Sequence, residues 1–256
     1  MNTKIIFLLF LLSALSVTAQ FNETIRTGRP GQAIGPFSVG RNVIQLQSGF
    51  DINRLEEKNT NINSTAYGPN AVLRIGLAEN FEINSGIEYK SINTEIVDSN
   101  YTLKGLSSLS LGSRIHLFDE SKFWPSLGLQ ISLKTKLRGD FQTEDLAPKL
   151  MLIGSKSISK KLSLLVNLGL DYNGNSTSPI GLYVINMGYS FAQKIGTFIE
   201  FYGSFDDTNA SLFTDAGFYF LVNNNLQFDL YGGIEQTNNL NFFISAGLSW
   251  RFLTKK

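Results

Sequence analysis

The side chains that most often carry acid–base and metal chemistry are scarce in this sequence. Its 256 residues include one histidine, His116, and no cysteine. The missing cysteines exclude disulfide frameworks, thiolate metal sites and cysteine nucleophiles. His116 shares an alternating face with Ser108 and Ser110. At ~3.3 Å per residue the serines lie roughly 20 Å or more away along one strand, so they cannot pair with His116 as nucleophile and base within that strand.

Charge and motifs narrow the function classes further. The 22 Lys and Arg residues almost balance the 21 Asp and Glu residues, so the chain lacks the basic excess that nucleic-acid binding needs. It contains no phosphate-binding glycine loop, no paired-histidine motif and no Gly-x-Ser-x-Gly elbow. Acidic pairs at Glu56–Glu57 and Asp206–Asp207 could bind calcium, although their spacing follows no fixed pattern. We predict no catalytic residue, no cofactor, no metal site and no nucleic-acid partner.

The first residues have the composition of a targeting segment. Lys4 precedes the apolar run 5–12, which is too short to span a membrane, and Val17-Thr18-Ala19 supplies small residues at the usual cleavage positions. We predict a cleaved signal peptide at 1–19 and an exported protein.

Most of the remaining chain alternates between apolar and polar residues with period two, as in 81–90 and 241–252. Because successive strand side chains point to opposite faces, these segments predict sheets with one apolar and one polar surface. Twelve strands follow from the pattern, near 43–52, 70–77, 81–90, 104–118, 123–135, 147–157, 161–172, 180–192, 195–205, 211–222, 225–233 and 241–252. Most are close to the ~9–11 residues that a tilted strand needs to cross a bilayer.

The links between these strands alternate between short and long. Short links near 78–80 and 193–194 contrast with predicted loops at 53–69 and 91–103. This layout is typical of a transmembrane antiparallel β-barrel with short periplasmic turns, long outside loops and an even number of strands. We predict such a barrel over 43–256, in the bacterial outer membrane, with membrane lipid and a small-molecule solute as partners. A soluble barrel or sandwich is the alternative.

Charges fall on one face of the strands. Mid-strand apolar positions such as Leu111, Ile199 and Ile244 carry no charge, as expected where lipid makes a basic side chain cost ~2–4 kcal/mol. Aromatic residues near both ends of the strands would form the two interfacial girdles. The opposite face supplies the candidate lumen-lining residues, which are Arg74, Glu82, Glu88, Arg114, Lys134, Asp171, Glu200, Tyr202, Asp215, Tyr219, Asp229 and Arg251.

The start of the mature chain carries the most specific motif. Residues 26–40 contain Arg-Thr-Gly-Arg-Pro and a second proline, and 43–50 read Val-Ile-Gln-Leu-Gln-Ser-Gly-Phe. This pattern resembles the bacterial outer-membrane family of transporters of the meta-pathway of phenol degradation, with further matches at 73–83, 105–107 and 125–129. The resemblance covers most of the mature chain and departs at Gly28, where the family usually has Asp. It implies an outer-membrane barrel with a transport role, and its aromatic substrate is not carried over.

Residues 20–42 lack alternation and form a separate N-terminal segment, in the periplasm or inserted into the lumen. Because this segment holds Arg29 among few acids, we expect Arg29 to pair with a lumen carboxylate, with a flexible periplasmic tail as the alternative.

Three functional hypotheses remain. The first is an outer-membrane channel or transporter for uptake of a small molecule, hydrophobic or aromatic in its narrower form. The second is a structural or partner-binding envelope barrel without an open pore, and the third is a membrane-embedded hydrolase that would use His116.

Overall fold

The computed structural model describes residues 23–57, 62–97, 99–236 and 240–253. The predicted signal peptide 1–19 lies outside these residues, as do residues 20–22 of the N-terminal segment. A helix that is long and apolar enough to cross a membrane does not occur in these ranges. Their helical content is one short 3-10 turn at Gly139–Phe141.

The chain forms one closed antiparallel barrel. Each strand pairs with its neighbours in sequence, and the first strand pairs with the last to close the sheet. The prediction of an all-β antiparallel barrel with twelve strands is therefore confirmed. The strands are β1 (Val43–Glu57), β2 (Ile62–Ala78), β3 (Phe81–Ile96), β4 (Ser99–Phe118), β5 (Ser126–Lys134), β6 (Ala147–Ser157), β7 (Leu162–Asp171), β8 (Ile180–Ala192), β9 (Ile195–Phe205), β10 (Phe213–Asn223), β11 (Leu226–Glu235) and β12 (Leu240–Leu253).

The barrel is polar inside and apolar outside. Its most completely buried side chains include Arg74, Glu82 and Glu200, whereas large apolar side chains lie on the outer surface, among them Leu111, Ile131, Ile185, Met187, Ile199, Phe218 and Ile244. A water-soluble protein shows the opposite arrangement, because burying apolar surface is what stabilises its fold. The period-two pattern produces both surfaces, since adjacent residues of a strand face opposite ways.

The two ends of the barrel differ in their links. At one end, called the turn end here, Glu79–Asn80, Gln193–Lys194 and Asn224–Asn225 form two-residue turns. At the other, the loop end, longer connections at 135–146, 172–179 and 206–212 join the strands. The described N-terminal residues enter at the turn end, where the N–H of Ile25 donates to the carbonyl of Asn224.

The predicted loops at 53–69 and 91–103 are wrong. Residues 53–57, 62–69, 91–96 and 99–103 continue the strands, so that β3 and β4 are joined across 97–98. Their polar composition suggested loops, but a hairpin needs only backbone pairing and cross-strand contacts, such as the Ser64 Oγ–Thr94 Oγ1 hydrogen bond of 3.0 Å. Sequence polarity here marks strands that continue beyond the apolar surface.

The start of β5 also differs from its prediction. The strand begins at Ser126 instead of residue 123, and Phe123 and Trp124 lie exposed in the preceding turn. Pro125, which has no N–H to donate to the sheet, explains the late start. Strand β6 has the predicted bounds, and its unbroken apolar run arises because Met151 and Ile153 are buried inside while Leu150 and Leu152 face outward.

Candidate functional site

Residues 23–42, called the plug segment here, cross the barrel interior without regular secondary structure. From the β10–β11 turn they contact strands in nearly reverse chain order, through Asp229 on β11, Glu200 on β9, Asn167 on β7, Arg114 on β4 and Glu82 on β3. The segment ends where the N–H of Asn42 donates to Gly76 of β2. Side chains of the barrel thus satisfy backbone groups that a non-strand segment leaves unpaired.

Arg29 is buried at the centre of the first contact. Its Nη2 lies 2.9 Å from Asp229 Oδ1, its Nε lies 3.1 Å from the same oxygen, and Nη2 also donates to Ser245 Oγ at 2.9 Å. The guanidinium carbon lies 5.4 Å from the centroid of the Tyr231 ring, within cation–π range. Charge-assisted bonds of this kind are about twice as strong as neutral ones.

Two glycines make room for this guanidinium. Gly49 on β1 and Gly247 on β12 are directly paired across the seam that closes the barrel. A Cβ atom on either one would collide with the guanidinium of Arg29. The close approach of Arg29 to the wall therefore depends on the absence of side chains at both positions.

On β9, Glu200 binds the backbone of the plug segment. Its Oε1 accepts the N–H of Gln32 at 2.6 Å, and its Oε2 accepts the N–H of Ala33 at 2.9 Å. Asn186 of β8 donates to the same Oε2 at 2.9 Å. On β7, Asn167 accepts the N–H of Ile34 at 2.8 Å and donates to its carbonyl at 2.9 Å.

A buried arginine–glutamate–arginine cluster holds the last part of the segment. Glu82 accepts two bonds from Arg74, at 2.7 and 2.8 Å, and lies 3.8 Å from Arg114 Nε. Arg74 Nη2 donates to the carbonyl of Phe37 at 3.0 Å, Arg114 Nη1 donates to that of Gly35 at 3.1 Å, and Glu82 accepts the N–H of Val39 at 2.8 Å. These side chains bind one another and the plug segment at the same time.

The other predicted lumen residues lie apart from the segment or at its first residues. Two of them form ion pairs with neighbouring strand residues, Glu88 with Lys90 and Lys134 with Asp171. The ring of Tyr202 stacks on Phe213, and the hydroxyl of Tyr219 lies 3.3 Å from Ser190 Oγ. Arg251 donates to the carbonyl of Glu23. Asp215 is buried, and neither of its carboxylate oxygens has a hydrogen-bond partner among the described residues.

Sequence reasoning missed the neutral members of this interior. Gln45 Nε2 donates to the carbonyl of Arg26, Gln227 Nε2 donates to that of Arg29, and Thr27 Oγ1 lies 2.6 Å from Ser249 Oγ. The strand alternation places Gln45, Gln227 and Ser249 on the polar face. Only the path of the plug segment shows that they bind it.

Two cavities border the plug segment. The β6–β11 cavity, of about 320 Å³, opens between residues 24–37 and the wall that carries Ser163, Asn186, Ser190 and Tyr219. The β1–β5 cavity, of about 340 Å³, lies between residues 28–34 and the wall that carries Gln47, Asn84, Ser110 and Gln130. Both are at the lower end of the usual range for small-molecule sites.

No serine or threonine hydroxyl is hydrogen-bonded to the His116 ring among the described residues. Its Nε2 lies 3.0 Å from Asp119 Oδ1, and its ring stacks on Phe37 with centroids 4.9 Å apart. Neither Ser108 nor Ser110 is bonded to it in the part of the chain that the structure describes. The arrangement fixes the ring against the plug segment.

No cluster of three or more histidine or acidic side chains suited to a metal occurs within the described ranges. The acidic pair at 206–207 shows why its spacing is uninformative. The N–H groups of Thr208 and Asn209 both donate to Asp206 at 2.8 Å and hold the pKa of that carboxyl below its usual value. This carboxylate therefore stabilises its own turn.

The chain matches one family model, and its fold is similar to those of several solved structures. A family model described as "Putative MetA-pathway of phenol degradation" matches residues 27–252. No curated protein sequence matches the chain at a significant level.

Three solved structures illustrate the likeness of fold. An outer membrane channel from Pseudomonas putida F1 has a TM-score of 0.69 at 9% identity, with 87% of this chain and 99% of that chain covered. The KdgM porin has a TM-score of 0.57 at 10% identity, over 80% and 99% of the two chains. The CymD monoaromatic hydrocarbon channel has a TM-score of 0.50 at 10% identity, over 93% and 100%.

Proposed function

The chain belongs to this phenol-degradation family, whose model spans most of it, and from that premise we propose that it is an outer-membrane channel for uptake of a small, hydrophobic or aromatic molecule. The observation that carries the proposal is the inverted barrel. Apolar side chains such as Leu111 and Phe218 cover the outside, whereas Arg74, Glu82 and Glu200 are buried within. Lipid stabilises the first surface, and an aqueous or ligand-filled lumen accommodates the second.

The names of the similar structures support the same function. Two are called channels and one a porin, and CymD is named for monoaromatic hydrocarbons. Aromatic side chains also cover one interior wall of this barrel, where Phe198, Tyr231 and Phe243 form a buried cluster with Tyr202 packed against it. That wall suits an apolar or aromatic solute. The proposal includes the cleaved signal peptide at 1–19, by which the chain reaches the outer membrane.

We propose that the plug segment narrows the lumen and that a solute passes beside it. The cavities on its two sides are the spaces that such a solute would use. Movement of the segment would require breaking the Arg29–Asp229 ion pair and the bonds to Glu200 and Glu82.

The same contacts favour one alternative, a structural envelope barrel without an open pore. The plug segment is bonded to β3, β4, β7, β9 and β11, which is the arrangement expected of a permanent closure. The proteins named above are channels and a porin, and no hydroxyl of the described residues is hydrogen-bonded to the His116 ring, so no observation on those residues favours a hydrolase.

Conductance across a planar bilayer tests the channel. We expect small discrete steps from the purified protein, and larger steps after deletion of residues 24–35, because the deleted segment occupies the lumen. The control is the double variant Asn173→Ala, Asn175→Ala in the exposed β7–β8 loop, which leaves the interior unchanged. Silence from the folded full chain, with steps only from the deletion variant, would instead favour the closed structural barrel, because the segment would then be its closure. Silence from both folded proteins would refute the channel.

A further inference from the structure

The β1–β5 cavity exists because its wall carries small side chains. Gly86 of β3, Ser110 of β4 and Ser132 of β5 face it from neighbouring strands. A Cβ atom added to Gly86 would lie 2.9 Å from Ser110 Oγ, so the residues of this wall are closely packed against one another. The space therefore results from the sequence of three adjacent strands and not from a gap in the sheet.

Two amide groups on this wall have unused donors. Gln47 Nε2 and Asn84 Nδ2 are buried and have no hydrogen-bond partner among the described residues. The Gln47 residue as a whole is 5% exposed, and both residues line the cavity. Because a buried N–H without a partner is unfavourable, both groups favour a ligand that brings hydrogen-bond acceptors.

The Arg74–Arg114 end of the cavity has a local surplus of positive charge. Arg29, Arg74 and Arg114 line the cavity, and Arg29 is paired with Asp229, whereas Arg74 and Arg114 share the single carboxylate of Glu82. Arg114 has the weakest pairing, 3.8 Å from Glu82, and its other bonds go to neutral acceptors, including Gln130 Oε1 at 2.6 Å. An anion would neutralise this surplus.

Two further carboxylates line the cavity at its far side. Asp51 accepts from Asn70 Nδ2, and Glu88 is paired with Lys90 at 3.1 Å. The guanidinium of Arg29 lies over Gly49, the inward-facing residue between Gln47 and Asp51 on β1. It therefore separates the Asp51 carboxylate from the donor groups.

The remaining lining is apolar. Ile34 of the plug segment, Val72 of β2 and the ring of Tyr231 on β11 face the same cavity. We propose that the β1–β5 cavity binds a small organic carboxylate with an apolar or aromatic body, whose oxygens accept from Gln47, Asn84 and Arg114. The inference rests on the proposed function, because it names the class of solute that such a channel would take.

Calorimetric titration of the purified full-length protein in detergent tests the site, with benzoate as the probe and benzyl alcohol as its uncharged counterpart. We expect benzoate to bind at least tenfold more tightly than benzyl alcohol, since only the carboxylate satisfies the donors and the guanidinium. Gln47→Leu and Asn84→Leu should each weaken benzoate binding at least tenfold. Ser190→Ala, in the β6–β11 cavity, should leave it unchanged.

Each variant is compared only after its barrel is shown to be folded by circular dichroism. Absent benzoate binding, equal binding of the two probes, or an equal effect of Ser190→Ala would overturn the carboxylate site. Conductance is read separately. Conductance steps from a protein that does not bind benzoate would refute the carboxylate site but support the channel function. Benzoate binding by a protein that shows no conductance would support the site and refute the channel function.

Discussion

At the residue scale, the position of Arg29 depends on a pair of glycines as much as on its carboxylate. Asp229 supplies the charge, but Gly49 and Gly247 supply the space in which the guanidinium lies against the β1–β12 seam. If a side chain at either glycine displaced the guanidinium of Arg29, Asp229 would be left as an unpaired charge inside the barrel. A buried charge without a partner is strongly unfavourable.

We expect Gly247→Ala to destabilise the barrel without changing any charge. The new methyl group would collide with Arg29, and overpacking of this kind costs ~1–3 kcal/mol. Thermal unfolding in detergent, followed by circular dichroism, should show a lower midpoint. The matched control is Gly35→Ala on the plug segment itself, where a Cβ would have no neighbour within 4 Å. Equal unfolding midpoints for the two variants would contradict the position of the Arg29 guanidinium against Gly49 and Gly247.

The charged residues of the interior could be predicted from the sequence, whereas their partners could not. Period-two alternation places Arg74, Glu82 and Glu200 on the polar face because a strand has only two faces. It carries no information on the partner of each charge. The Arg29–Asp229 pair joins residues 200 apart in the chain, and Asn167 binds Ile34 through an amide that no charge pattern singles out.

At the element scale, the strands divide into those with predictable ends and those without. The bounds of β6, β8 and β9 agree with their predictions, because turn residues and apolar alternation end together there. In β1–β4 the apolar alternation ends before the strand does, and polar hairpin residues continue the pairing up to Glu57 and Ile62. The hydrophobic pattern shows how far the apolar surface of a strand extends. The backbone pairing of the same strand can continue beyond that surface.

The orientation of these hairpins is open to labelling, since the natural chain has no cysteine. Asn61 lies outside the described residues, whereas Asn63 belongs to β2. We expect Asn63→Cys to react with an impermeant maleimide on intact cells, because it lies at the loop end. Ser121→Cys, in the turn between β4 and β5, should react only after the outer membrane is opened. Reaction of both on intact cells would refute the proposed orientation.

At the scale of the whole molecule, the barrel is a sheet with its apolar side turned outward. Leu111 is 64% exposed on β4, and its chain neighbour Ser110 lines the β1–β5 cavity. The two residues are adjacent in the strand, but Leu111 faces the outside of the barrel and Ser110 faces its interior. They therefore report on the two faces independently of local strand geometry.

Leu111→Arg should prevent stable insertion into lipid, because a basic side chain at mid-bilayer costs ~2–4 kcal/mol. Ser110→Arg should insert normally, since its side chain enters the cavity of about 340 Å³, which the carboxylates of Asp51 and Glu88 also line. Folding into lipid vesicles, measured as the heat-modifiable shift in gel migration, compares the two directly. Similar yields for both variants would mean that the outer surface does not face lipid.

The plug segment also constrains the order in which the molecule can be assembled. Its residues precede β1 directly, contact β11, β9 and β7, and lie inside a ring that closes only when β1 joins β12. The segment enters beside Asn224 and leaves beside Gly76, both at the turn end, so it lies in the barrel as a loop and does not thread the ring. Contacts spanning 200 residues form slowly, because the ordering of a long loop precedes any gain. The core of this barrel is therefore part of its own chain, and it can be completed only after β7, β9 and β11 have been synthesised.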